Sequence, residues 1–366
     1  MSRGPLDPVE LLERAVATPS PSGHEAAVAA LLVDAMAGFA DEAFVDEAGN
    51  AVGSWGHGAL NVTVLGHIDT VPGEIAVRRK EGVLHGRGAV DAKGSFCAAV
   101  AAVAGLPSSL EDALRLRLIG AVEEEAPTSK GARYAVRAYE APDLVIIGEP
   151  SGWDSYTLGY KGRLLARLRA ERPNTHSSRD EPTAAELAVT AFAAIRTFAQ
   201  EDNRGVQGRF DALQISLQSL DSHDDGLTQR CEAVLGFRLP PRWPPQALSE
   251  SLQSLSLPHG VGLTVSGPEQ AHRSSKDSVL ARAFRVAIRG AGARPRAKVK
   301  TGTSDMNVVA PHWAAPMVAY GPGDASLDHT PEERIDLDEY VRAVDVLRAV
   351  FEHLASEAQT PEDVPV

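Results

Sequence analysis

Apolar and polar positions along the chain fall into short blocks whose period switches between two and 3.6, the signature of strands alternating with helices. Leu60 to Leu65 and Asp143 to Ile147 read as buried strands. Leu114 to Ile119 alternates leucine with arginine, as a strand with one wetter face does, and Met317 to Tyr320 is a further buried strand. Helices are predicted between them. The first starts at Asp7-Pro8, where Asp7 can cap and Glu10 stands three residues on. Ser22-x-x-Glu25 has the form of a capping box for a second, whose Val28, Leu31, Leu32 and Ala35 share a face. Others run from Ser95 to Ala104, from Lys130 through Tyr134, Val136 and Tyr139, and from Ser275 to Gly290. The last, Asp338 to Leu354, carries Tyr340, Val341, Val344, Leu347, Phe351 and Leu354 on one stripe. Asp46 to Gly53 reads as a turn and Glu74 to Leu84 as a small strand excursion, and residues after Ser356 are expected to be disordered.

From about Tyr160 the pattern changes. An alternating stretch, Gly162 to Ala170, is followed by a long helix, Pro182 to Phe198, and strands at Ala212 to Leu220 and Ala233 to Leu239. A helix, Gln246 to Leu255, and a strand, Gly262 to Ser266, complete a β-α-β-β-α-β unit with its own core. The expected fold is α/β: a domain of residues 1–159 and 272–366 with a mixed sheet flanked by helices, and an inserted ferredoxin-like domain of residues 160–271. A chain of 366 residues fits two domains.

Charge narrows the partners. The formal net charge of −13 argues against nucleic acid, which needs a basic surface. The longest apolar run, Phe96 to Leu106, is too short and too rich in Ala and Gly to span a bilayer. Met1 to Leu12 has no apolar segment flanked by basic residues, so no signal peptide is expected. Two cysteines, Cys97 and Cys231, fit a reducing compartment. A cytoplasmic protein without membrane or nucleic-acid partners is the expectation.

Chemistry gathers at the strand ends. His67 and Asp69 follow one strand, Asp91 lies in the glycine-rich loop Gly86 to Gly94, Glu123-Glu124-Glu125 follow another strand, and Glu149 a third. In an open α/β sheet ligands bind beyond the carboxyl ends of the strands. Each cluster alone has a plain structural reading: a surface H-x-D, a helix-capping Asp, a solvated acidic loop. Four such coincidences weaken one another. With His329 added, two imidazoles and three carboxylates suit two divalent ions, one carboxylate bridging. Mixed nitrogen and oxygen ligation favours zinc, with cobalt or manganese as substitutes. Two ions about 3.5–4 Å apart can lower the pKa of a water from 15.7 to roughly 7, and a neighbouring carboxylate can then shuttle its proton.

The motifs Gly66-His67-Ile68-Asp69, Gly86-Arg87-Gly88-x-x-Asp91-x-Lys93-Gly94, Glu124-Glu125, Gly148-Glu149-Pro150, His176-Ser177-Ser178, Gly302-Thr303-Ser304-Asp305 and His329 together resemble the co-catalytic metallo-amidohydrolases. That family includes acetylornithine deacetylase, succinyl-diaminopimelate desuccinylase and glutamate carboxypeptidase. The resemblance implies two Zn2+ or Co2+ ions held by His67, Asp91, Glu125, Glu149 and His329, with Asp91 bridging and a cis peptide before Ala92. It also implies that Asp69 orients His67 and that Glu124 is the general base; the role of Glu123 stays open. His176 would stabilise the oxyanion in a partner subunit's site, which implies a homodimer through the inserted domain acting as a lid. Gly302, Thr303 and Asn307 are the expected substrate-binding residues.

Glu123 to Arg133, Gly159-Tyr160-Lys161-Gly162 and Lys300 to Asn307 resemble one branch, the amino-group-carrier-protein hydrolases of lysine and arginine biosynthesis. The implied reaction releases lysine, or ornithine, from the C-terminal glutamate of a small acidic carrier protein, the last step of the α-aminoadipate route to lysine. Met306-Asn307-Val308 stand where the desuccinylase branch has Gly-Arg-Phe, which counts against a succinyl-diaminopimelate substrate. The alternatives are a small-molecule deacylase acting on acetylornithine or acetyl-lysine, and a non-catalytic carrier-docking protein. Arg294, Arg296, Lys298 and Lys300 alternate, which puts them on one strand face. Such a ridge is either an ordinary solvated face or a guide for an acidic carrier.

Overall fold

The structure is a computed structural model that describes residues 6–176 and 178–359. In chain order, helices α1 (Pro8–Val16) and α2 (Ala26–Met36) precede strands β1 (Glu42–Val45), β2 (Ala51–Trp55), β3 (Leu60–His67), β4 (Arg78–Lys80) and β5 (Val83–His85). Then come α3 (Lys93–Ala104), β6 (Leu114–Ala121), α4 (Lys130–Ala138), β7 (Leu144–Gly148) and β8 (Ser155–Tyr160). The middle of the chain supplies β9 (Gly162–Pro173), α5 (Ala184–Asp202), β10 (Gln214–Asp224), β11 (Thr228–Leu239), α6 (Pro245–Gln253), β12 (Val261–Glu269) and β13 (His272–Arg273). The rest is α7 (Val279–Gly290), β14 (Arg296–Lys300), α8 (Asp305–Val309), β15 (Met317–Tyr320), β16 (Arg334–Asp336) and α9 (Leu337–Gln359).

These elements form two compact units. One contains the chain up to Gly159, Ser274–Val299 and everything from Ser304 on; the other contains Tyr160–Arg273 and Lys300–Thr303. In the first unit a mixed sheet runs β1-β2-β6-β3-β7-β15-β8, with β14 also paired to β8. Its centre is parallel: β3 lies between β6 and β7, and β15 continues beyond β7. Parallel strands β7 and β15 are buried on both faces, which is why they read as unbroken apolar runs, whereas β6 keeps Arg115 exposed and Arg117 half-buried near its start. Their carboxyl ends lie level, since Gly66 stands opposite both Gly120 and Gly148. The two glycines make this fit possible: a Cβ on Gly66 would lie 3.1 Å from the Gly148 Cα.

Helix α3 is buried along almost its whole length, from Lys93 to Val103, so the longest apolar run of the sequence is the core helix. Among the described residues no helix is long and apolar enough to cross a membrane. The ammonium of buried Lys93 donates to the carbonyls of Ala15 (3.1 Å) and Thr18 (2.8 Å), satisfying the end of α1. Asp7 caps the start of α1 as expected, accepting from the N–H groups of Val9 and Glu10.

The second unit is a four-stranded antiparallel sheet in the order β10-β11-β9-β12, with α5 and α6 packed on one face: the expected β-α-β-β-α-β arrangement. Leu164, Ala166 and Leu168 of β9 meet Ile195 of α5 and Leu248 and Leu252 of α6 in its core. Lys161, fully buried, donates to Arg209 O (3.0 Å), Gln214 Oε1 (2.9 Å) and Ala212 O, so this residue of the Gly159–Gly162 motif ties down the entry to β10.

Several local expectations need correction. Helix α2 has no side-chain cap; the Ser22 hydroxyl donates to Asp69 instead. The segment read as a turn is confined to Asp46–Asn50, where Asp46 accepts from the N–H groups of Ala48, Gly49 and Asn50, and Ala51 already begins a strand. Helix α7 starts at Val279, capped by Ser278, rather than at Ser275. Helix α9 continues past Ser356 to Gln359; the remaining residues expected to be disordered, 360–366, lie outside the described ones. Short helix α8 was not foreseen.

The level strand ends give a prediction. Gly66→Ala presses a methyl onto backbone that cannot move aside, so the metal-free protein should lose about 1–3 kcal/mol of stability in urea unfolding. An unchanged midpoint would show that the strands can spread.

Candidate metal centre and its supports

Three neighbouring parallel strands deliver the first group of side chains: His67 ends β3, Glu124 and Glu125 follow β6, and Glu149 follows β7. Asp91 arrives differently. Its preceding strand, β5, belongs to a small sheet of β16, β5 and β4, so the loop brings it in from outside the main sheet, just before the start of α3. The Asp91–Ala92 peptide is cis, as the resemblance implied.

Asp91 is the centre of the geometry. Its Oδ1 lies 3.2 Å from His67 Nε2, and its Oδ2 lies 3.0 Å from His329 Nε2. Glu149 Oε1 stands 4.0 Å from His67 Nε2, and Glu125 Oε1 stands 2.7 Å from His329 Nε2. One carboxylate thus faces two imidazoles, and each imidazole has a second carboxylate of its own. Ligand atoms of Asp91, Glu125 and His329 all lie within 4.8 Å of one another, as do those of His67, Glu124 and Glu125. The donor set fits divalent cations: two nitrogens and several carboxylate oxygens converge where the only opposing charge is what the histidines carry. Backbone φ at His329 is 61°, in the left-handed region, an unusual conformation for a non-glycine and a frequent mark of a functional position.

Asp69 stands behind His67. It is fully buried, with Oδ1 3.3 Å from His67 Nδ1. Its Oδ1 also accepts from the Glu124 N–H at 3.1 Å, and its Oδ2 from the Glu125 N–H at 3.0 Å and the Ser22 hydroxyl at 2.6 Å. One carboxylate therefore orients the ring and fixes the backbone that carries both glutamates.

The three consecutive glutamates go to different places. Glu123, at φ 57°, turns to the Thr128 hydroxyl (2.6 Å) and to Lys130 (3.6 Å), and closes its own loop. Glu125 reaches His329. Glu124 lies among His67, Glu149, Glu125 and buried Asp305. Burial pushes its carboxyl well above the usual range; His67 opposes the rise and the other carboxylates add to it. Burial likewise pushes Glu125 up to about 7. Burial works against ionised Asp91, yet hydrogen bonds from His329 and His67 hold it well below the carboxylate range. The Asp91 hydrogen bond raises His329 to about 9.

His176, Gly302 and Thr303 belong to the second unit. His176 is exposed in the loop after β9, and its neighbour Ser177 lies outside the described residues. The Ser178 N–H donates to His176 Nδ1 at 3.2 Å, which places the proton of the neutral ring on Nε2. Thr303 Oγ1 accepts from Arg238 at 3.2 Å. Asn307, 1% exposed, has its Oδ1 on the Ser304 N–H at the start of α8, so here its amide serves the capping box of that helix. The basic ridge is partly spoken for. Arg296 pairs with Asp154 at 2.6 Å, Lys298 donates to Ser151 O at 2.6 Å, and Lys300 lies over the Tyr160 ring.

Sequence reading gave Ser22 only a helix-capping role and gave Glu333 none. The first has the local signature of a helix cap, and the second sits in the charged run Pro331 to Arg334, which looks like solvated surface.

The chain matches the sequence profile of Peptidase family M20/M25/M40 over residues 63–353, and it belongs to that family. It is 54% identical over 350 residues to the LysW-lysine hydrolase of Deinococcus radiodurans, covering 94% of this chain and 96% of that protein. It is 38% identical over 346 residues to a Thermococcus kodakarensis protein provisionally assigned as a LysW-lysine/LysW-ornithine hydrolase, covering 94% and 92% of the two chains. The fold is shared with the M20 family metallo-carboxypeptidase of Sulfolobus solfataricus at a TM-score of 0.79 and 18% identity, covering 96% of this chain and 100% of that one.

A ligand imidazole must be neutral, so uptake of metal displaces protons. Hydrogen bonding to Asp91 raises His329 to about 9, and His67 is raised as well, so apparent metal affinity should rise with pH through the neutral range. Calorimetric zinc titrations at pH 7.5 in buffers of different ionisation enthalpy should report net proton release. Zero release would contradict the assignment.

Proposed function

We propose that the chain is a metal-dependent amidohydrolase that releases lysine from the C-terminal glutamate of an amino-group carrier protein. The observation that carries the chemistry is Asp91, placed with one oxygen toward His67 and the other toward His329. The substrate assignment is supported by the 54% identity, nearly end to end, with a relative named for LysW-linked lysine. Ornithine on the same carrier is the second substrate to test, given the dual names of the archaeal relatives.

His67, Asp91 and Glu149 would hold one ion, and His329, Asp91 and Glu125 the other; the mixed nitrogen and oxygen set suits Zn2+ first and Co2+ second. When bound, the ions supply Lewis acidity that polarises the scissile carbonyl and acidifies water to a pKa of roughly 7. Glu124 takes the proton of the attacking water at its carboxylate and returns it to the leaving amine, a role for which its raised affinity for a proton is suited. Asp69 keeps His67 in one orientation and holds the Glu124 and Glu125 backbone in place. His176 donates from Nε2 to the developing oxyanion of the partner subunit's substrate, which makes the enzyme a homodimer joined through its second unit. The reaction is assigned to the cytoplasm, in keeping with the two unpaired cysteines, Cys97 and Cys231.

The test is an amine-release assay with zinc or cobalt, offering carrier-linked lysine, carrier-linked ornithine and acetylornithine side by side. Carrier-linked lysine should turn over fastest, and faster turnover of acetylornithine would favour the small-molecule deacylase. Glu124→Gln should lower kcat by about 10²–10⁴-fold while both ions stay bound. Retained turnover in that variant would refute the proton shuttle.

Mixed dimers test His176. A dimer of one Glu124→Gln subunit and one His176→Ala subunit keeps one complete site only if His176 acts across the dimer. Activity should therefore return on mixing the two inactive homodimers after subunit exchange. No recovery, with exchange verified by mass, would place His176 in its own subunit's site or outside catalysis.

A further inference from the structure

Two charged side chains, Glu333 buried and Arg87 half-buried, form an ion pair beside the candidate metal centre without taking part in it. Glu333 is 1% exposed, in the segment leading into β16. Its Oε1 accepts from three backbone N–H groups of one loop: Gly88 at 3.0 Å, Val90 at 3.0 Å and Asp91 at 3.1 Å. Its Oε2 accepts from the Arg87 guanidinium at 2.8 Å. Arg87 in turn donates to the carbonyl of Gly73, at 3.1 Å, and to that of Thr330, at 3.2 Å.

A buried ion pair is costly in water-free surroundings, and removing a partner leaves an uncompensated charge. The cost to this pair is offset by the three N–H donors to Glu333 and by the guanidinium's further bonds to the Gly73 and Thr330 carbonyls. The connections have a direction. Glu333 holds the loop that ends in Asp91, and Arg87 holds the carbonyl next to His329. The pair thus spans the two segments whose side chains meet at 3.0 Å, Asp91 Oδ2 and His329 Nε2. His67, by contrast, is oriented by Asp69, which has its own support from Ser22 and the Glu124 and Glu125 backbone.

The structure assigns Arg87 and Glu333 as positioning residues for one of the two metal positions, the one formed by His329, Asp91 and Glu125. The inference rests on the two-ion reading proposed above. Loss of the Arg87–Glu333 link lets the His329 segment drift relative to Asp91 and weakens that position, while Asp91, its N–H still held by an oxygen at position 333, keeps the His67 position intact. A merely structural pair would lower the stability of the metal-free protein and leave both positions alike.

Cobalt titration in competition with a chromophoric chelator separates the two. Glu333→Gln keeps an oxygen for the loop N–H groups but turns an amide toward Arg87; Arg87→Gln keeps Glu333 and its three bonds and removes the link to Thr330. Either variant should bind one Co2+ as the wild type does and the second about 10–100-fold more weakly. His329→Ala serves as the reference, and adding Glu333→Gln to it should cost the remaining site nothing further. Two ions bound with wild-type affinities, or both weakened equally, would overturn the inference, whatever the melting temperature of the metal-free variant. If Glu333→Gln does not fold, Arg87→Gln decides by the same criteria. Wild-type protein that takes up only one ion would overturn the two-ion reading itself, and the inference with it.

Discussion

Carboxylates repel one another, and the first unit gathers Asp91, Glu124, Glu125, Glu149 and Asp305 around two histidines in a largely buried place. Such an arrangement persists only if the framework is stiff enough to resist the repulsion and if positive charge is placed among the oxygens. The stiffness comes from below. Three parallel strands, buried on both faces toward their carboxyl ends, end level, and two glycines let the β3 and β7 backbones approach closely. The positive charge comes from the imidazoles, each shared between carboxylates, and is what divalent ions would supply in greater measure. The geometry of Asp91 joins these halves, because its two oxygens face the two histidines.

Strands β7 and β15 were legible in the sequence because strands buried on both faces carry no polar alternation to blur them, and β6 because its leucines and arginines alternate. The residues at their ends were legible for the same reason: an ionisable side chain directly after an apolar run has few structural uses. Asp91 was found although its strand was assigned too simply, since β5 belongs to a separate small sheet. The supports were harder to see. Ser22 satisfies a local capping pattern, and only the long-range approach of Asp69, 47 positions away in sequence, draws the hydroxyl elsewhere. Glu333 sits among charges that look solvated, and nothing local tells it from Glu332, which remains exposed. Edge strand β1 and its neighbour β2 were hidden because the tight Asp46 turn between them dominates the local composition.

The basic ridge shows a related effect. Period two in the sequence places Arg296 and Lys298 on one side of β14, but the structure draws both into the 151–154 loop that follows Glu149. Charges that look available for a partner are in part fastening the strand to the segment that carries a candidate ligand. Alternation fixes which way a side chain leaves the backbone; what it meets there is set by tertiary contacts.

The Glu123-Glu124-Glu125 run combines three identical residues with three unlike destinations. What separates them is a single left-handed residue, Glu123, which changes the direction of the chain before the other two are presented. Chemical identity therefore carries no information about role within this triplet; phase does. Loss or gain of one residue there would leave the composition looking intact while handing each carboxylate its neighbour's post. A relative that retains an acidic pair at this place is equivalent only if its chain turns at the same step.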